Sequence, residues 1–206
     1  MNYLAHCYLA DADPARADPE ALVGGLMGDF LRGPLAEHGA LSPTLRRAVA
    51  LHRRIDSFTD AHPLFGRSRA RLRPPYRRYG GILIDIFYDH FLARGWDRYA
   101  DLPLACFCES VYTALQNHYH ILPERMRPSV DYMLGHDLLQ SYALVEGIGR
   151  SLRGVERRLS RPSALGRAVA ELEYDYAGFE EDFTAFFPEL VTFSRHTEHS
   201  LRHTHA

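Results

Sequence analysis

The chain contains no lysine: all 24 of its basic residues are arginine. Every positive side chain is therefore a planar fork suited to phosphates and carboxylates. Cysteine is scarce, at three residues, and Cys106 and Cys108 stand too close together for an ordinary bridge. No CxxC pair occurs, which argues against a disulfide framework or a cysteine zinc site and points to a reduced intracellular protein. No apolar run approaches the roughly 20 residues that a membrane helix needs. The opening "MNYLAHCYLADAD" lacks the basic start and long apolar core of a signal peptide, so a cytoplasmic location is expected. The formal net charge is only -2, so no global field draws the chain to nucleic acid or membrane. Internal repeats and long linkers are also missing, and residues 1–206 read as one domain.

Helix signals dominate what is present. Asp18-Pro19 and Ser42-Pro43 each read as an N-cap followed by a first helical residue. They predict helices over about 19–31 and 44–59. Further helical patterns start at Pro103, after Pro123, and at Ser163, the last of these reaching about Phe187. Pro188 predicts a break before a final helix, and the His-rich tail with His196, His199, His203 and His205 is expected to fray. The run "ILIDIF" within residues 82–92 resembles a buried strand, but the apolar pattern continues too far and has no strand partner. The expected fold class is all-α, a single-domain bundle of about seven or eight helices, with this apolar helix at its centre.

Polar groups inside those greasy segments carry the chemistry. Asp85 and Asp89 lie four residues apart on the central helix, with His90 beside them. Two like charges at that spacing repel, and burial adds several kcal/mol per ion, so a cation or a buried arginine should sit between them. "LHRRIDSFTDAH" sets His52, Asp56 and Asp60 at successive intervals of four, along one helical stripe. Asp29 follows the glycine-rich "VGGLMG", and His6 lies within "YLAHCYLA". Each alone reads as a satisfied core histidine, a cap or a surface ion pair. Together, left unpaired, they would cost more than the whole stability of a domain. Shared partners are required, and a His and carboxylate metal centre supplies them economically.

The stretches "MNYLAH", "GDFLRG", "HRRIDSFTDAH", "ILIDIFYDHFL" and "LEYDYAGFEEDFTAFFPEL" resemble, in order and spacing, the acyl carrier protein phosphodiesterase family. The resemblance spans most of the chain. It implies an all-α, HD-domain-like hydrolase with a divalent metal, Mn²⁺ or Mg²⁺. The implied reaction cleaves the phosphodiester between 4′-phosphopantetheine and a serine of holo-acyl carrier protein, leaving the apo-protein. Matching positions are His6, Asp29, His52, Asp56, Asp60, Asp89 and His90. The pair Asp89-His90 reverses the His-Asp order usual in HD-type sites. On this reading Asp29, His52, Asp56 and Asp89 are metal ligands, and His6 and His90 are outer groups or general acids. Asp60 and Asp85 stand in an outer shell, and Arg53 clamps the phosphate. Arg67, Arg69, Arg71, Arg73, Arg77 and Arg78 form a basic rim for an acidic carrier protein. Two other readings stay open: a phosphohydrolase acting on a nucleotide or other small phosphoester, and a non-catalytic helical module that binds an acidic partner.

Overall fold

A computed structural model describes residues 1–159 and 163–203. Among them there are eleven α-helices and no strand, more helices than the sequence predicts because several predicted runs are split. They are α1 (Tyr3–Leu9), α2 (Pro19–Met27), α3 (Pro43–Ala61), α4 (Pro63–Arg71), α5 (Gly80–Arg94) and α6 (Leu104–Asn117). There follow α7 (Arg127–Gly135), α8 (Leu138–Ser141), α9 (Val145–Glu156), α10 (Val169–Tyr174) and α11 (Tyr176–His203).

Local chemistry accounts for the starts. Asp18 accepts the Glu20 amide ahead of α2, and Ser42 accepts the Leu45 amide ahead of α3. His62 does the same for Leu64, so the chain stops at Ala61, turns, and restarts as α4 with Pro63 in its first turn. The stretch 80–94 is one helix, not a strand, and it is buried nearly all round. It forms the axis of a single hydrophobic core to which α1, α4, α9 and α11 all pack.

Two expectations about the C-terminal part are corrected. Residues 163–187 are not one helix: a short turn and α10 precede a break at Asp175. α11 then runs straight through Pro188 as far as His203. Proline inside a helix costs roughly 3 kcal/mol. Here Phe179, Phe183, Phe186 and Phe187 on one side and Leu190 on the other are buried in the same core, and their burial is worth roughly 1.5–3 kcal/mol each. Pro188 and Thr184 both face solvent, so water can satisfy the carbonyl that the missing N–H leaves. His196, His199 and His203 are therefore helical, and His205 lies outside the described residues. No helix among the described residues is long and apolar enough to cross a membrane.

Candidate metal centre and cleft

The stripe on α3 meets α1 and the end of α2. Gly25 and Gly28 make this possible. The His52 imidazole lies so close to Gly28 that a β-carbon there would stand 2.2 Å from His52 Cδ2. Its Nδ1 donates to the Gly25 carbonyl oxygen at 2.7 Å. That bond fixes the tautomer and turns Nε2 toward the carboxylates. His52 Nε2 lies 3.1 Å from Asp56 Oδ2 and 3.3 Å from Asp29 Oδ1. His6 stacks on His52 with centroids 3.8 Å apart. Its Nε2 donates to Asp56 Oδ1 at 3.0 Å and to the Met1 carbonyl at 3.1 Å. His6 Nδ1 is buried and has no hydrogen-bond partner. Four residues from three segments, α1, the turn after α2, and α3, thus converge.

The electrostatics divide the two imidazoles. Burial would lower the pKa of His52, but hydrogen bonds to Asp29 and Asp56 reverse this and raise it to about 9. Burial lowers that of His6 to about 4, helped by its neighbour His52. Asp56 is held well below the usual carboxylate range because hydrogen bonds from His52 and His6 outweigh its own burial. Asp29 is lowered as well, burial being overcome by His52. At neutral pH one proton on His52 therefore bridges two carboxylates.

One atom each from His6, His52 and Asp56 lies within 4.8 Å of the others, and Asp29 adjoins His52. Donors about 3 Å apart suit a cation with ligands at about 2.0–2.2 Å. The donor set, two imidazoles with carboxylates, fits a divalent metal.

Other predicted site residues take different places. Asp89 is fully buried and accepts the Leu4 amide at 2.7 Å and the Ala5 amide at 3.1 Å. These are first-turn donors of α1 that no side chain of α1 caps. Asp89 thus acts as a cap supplied from α5, and a helix N-terminus fills the part expected of a cation. His90 donates from Nδ1 to the Tyr142 carbonyl at 2.8 Å and accepts the Tyr176 hydroxyl at Nε2, also at 2.8 Å, which occupies both nitrogens away from the cluster. Arg53 spends its guanidinium on the carbonyls of Gly33 and Leu31. It tethers the segment after Asp29, and these bonds compete with the expected phosphate clamp.

Asp85 faces the Met1 ammonium at 2.9 Å, with Asp56 3.6 Å from the same nitrogen. Asp60 and Asp85 join Asp29 and Asp56 around an open cleft of about 300 Å³, floored by Met1, Asn2 and Ile86. Burial raises the pKa of Asp85 despite the nearby ammonium.

The basic segment is partly consumed inside the fold. Arg67 and Arg71 both bind the buried Asp182, Arg71 also binds Asp175, and Arg73 pairs with the buried Glu171. The basic rim expected over residues 67–78 is reduced accordingly. Arg69, Arg77 and Arg78 are exposed and have no carboxylate partner among the described residues. Sequence reasoning passed over Asp182 and Glu171. The signal was present, since Asp182 sits among Phe179, Phe183 and Phe186 on the apolar stripe of α11.

A family model described as acyl carrier protein phosphodiesterase matches residues 1–190. A protein of that name from Photorhabdus laumondii is 34% identical over 192 residues, 93% of each chain. One from Yersinia enterocolitica is 33% identical over 193 residues, 93% of this chain and 96% of its own. One from Yersinia pestis is 32% identical over 199 residues, 96% of this chain and 100% of its own. No solved structure matches the chain. With a family match over nearly the whole length and relatives this similar, the chain belongs to the acyl carrier protein phosphodiesterase family.

Proposed function

We propose that the chain hydrolyses the phosphodiester joining 4′-phosphopantetheine to a serine of holo-acyl carrier protein, and that it does so with a divalent cation, Mn²⁺ or Mg²⁺. The observation that carries this is the charge of the cleft. Asp29, Asp56, Asp60 and Asp85 surround one opening, and an anionic diester entering it meets like charge on every side. The Met1 ammonium and the His52 proton oppose that field. A substrate carrying phosphate therefore needs added positive charge at this place.

His6, His52, Asp56 and Asp29 would hold the cation. When bound, it supplies charge neutralisation of the phosphoryl oxygens and acidifies water. The remaining work belongs to the protein. Gly25 holds His52 in the required tautomer, and Asp56 orients both imidazoles. Arg53 keeps the Asp29 segment against α3. Asp60 and Asp85 line the cleft, where they accept protons from an incoming water, and burial raises the pKa of Asp85 toward that role. Exposed Arg69, Arg77 and Arg78 offer positive charge to an acidic carrier.

Intact-mass measurement of holo-acyl carrier protein tests the reading, with Mn²⁺ or with EDTA. Loss of the prosthetic arm with Mn²⁺ and its retention with EDTA is expected. His52→Ala should abolish the loss and the thermal shift that Mn²⁺ gives the wild type. Retention of the arm under both conditions refutes the assignment.

A further inference from the structure

The acidic cleft does not end at its carboxylates. Asn2, Ile86 and Val155 also line a second, adjoining hollow of about 190 Å³ between α5 and α9, walled by Leu138, Ser151 and Leu159. Tyr132 and Arg158 in turn separate that hollow from a third of about 190 Å³, rimmed by Ser129, Gly154 and Arg157. Arg158 is held over the passage by the Gly154 carbonyl at 3.2 Å and the Ser129 hydroxyl at 3.0 Å.

The character of the wall changes along this path. The first hollow is lined by acids. The second is largely apolar, from Ile86, Leu138, Val155 and Leu159 with the rings of Tyr3 and Tyr132, and the Asn2 carboxamide, Ser151 hydroxyl and Arg158 are set among them. The third is open and flanked by arginine. A phosphate with a long, largely apolar tail that carries a few polar groups matches this order of walls. Apolar walls with a few placed polar groups are how such sites select their ligands.

We propose that the second and third hollows bind the pantetheine arm: the gem-dimethyl carbon and methylenes lie against Ile86, Val155 and Leu138, the amides lie by Asn2 and Ser151, and the thiol end emerges beside Tyr132 and Arg157. This deepens the phosphodiesterase reading and rests on it. One face of the Tyr132 ring is stacked by His136, with centroids 4.2 Å apart, and a planar base is the competing occupant that the test below distinguishes. The open third hollow leaves room for the thiol to carry an acyl group into solvent.

Isothermal calorimetry with 4′-phosphopantetheine, inorganic phosphate and adenosine 5′-monophosphate, each with Mn²⁺ present, tests this. The wild type should bind 4′-phosphopantetheine at least tenfold more tightly than the other two. Val155→Trp and Leu159→Trp, both at half-buried positions, should each lower that affinity at least tenfold, with folding checked by thermal unfolding. Equal binding of all three ligands overturns the proposal, and so does wild-type affinity in both variants. Adenosine monophosphate as the preferred ligand assigns the groove to nucleotides and overturns it as well. Wild-type turnover of holo-acyl carrier protein is measured in parallel. Turnover without a preference for the arm removes the groove and keeps the reaction. Preference for the arm without turnover removes the reaction and keeps the groove.

Discussion

Replacing Gly28 by alanine should disable the centre without replacing any of its polar residues. The new β-carbon would stand 2.2 Å from His52 Cδ2, 2.3 Å from Cγ and 2.8 Å from Nε2. Carbon atoms in contact sit about 3.5–4.0 Å apart, so the ring must retreat by more than about 1 Å. It is 2% exposed and held at 2.7 Å by the Gly25 carbonyl, so the retreat breaks that bond. Overpacking costs about 1–3 kcal/mol, and the lost buried hydrogen bond about 1 kcal/mol more. A total of about 3 kcal/mol lowers Tm by about 6–12 °C for a chain of this size. A catalytic group displaced by about 1 Å costs about 100-fold in turnover. Gly81→Ala is the control, since a β-carbon there meets nothing within 4 Å. Thermal unfolding and carrier hydrolysis read the two effects. If Gly28→Ala melts within about 2 °C of wild type and keeps full turnover, the close approach of α2 to His52 is not what builds the site.

Two further perturbations address the buried acids. Burial raises the pKa of Asp89 to about 7, even though the Leu4 and Ala5 amides pull it down. The stability that its neutral form contributes is fully present below the unfolded value near 4 and is lost as pH rises through about 7. Denaturation from about pH 5 to about pH 8 should show the wild type losing its advantage over Asp89→Asn; a constant gap refutes the titration. Asp182→Ala leaves Arg67, Arg71 and Ser68 without their shared acceptor. Breaking such a pair costs about 3–5 kcal/mol, somewhat less here because the arginines are partly solvated, and a melting temperature within about 2 °C of wild type would contradict that role.

How far the sequence could be read depended on the range of the interaction. Ser42-Pro43 and Asp18-Pro19 set helix starts through bonds two or three residues long, so those starts were legible. So was the stripe His52, Asp56, Asp60, because helical periodicity alone puts it on one face. The failures lie where a distant element decides. The arginines of residues 67–73 appear as a solvated basic run until Asp182 and Glu171, some 100 residues later, close on them. Pro188 reads as a helix end under a local rule, and aromatic packing from the far side of the core overrides it.

The acids of α5 show why a buried carboxylate is ambiguous in sequence. Each needs a positive partner, but a cation, an arginine, an ammonium and a helix N-terminus all meet that need. Asp89 takes the amides that open α1, and Asp182 takes two arginines. Those partners are parts of the folded chain and cannot leave, so these acids stabilise one arrangement. Asp29 and Asp56 differ because what joins them is a proton on His52. A proton exchanges with solvent, and a divalent cation can take its place without any element moving. On the proposed reading, chemistry that needs variable positive charge belongs at the α1–α2–α3 junction, and the acids deeper in the core are scaffold for it.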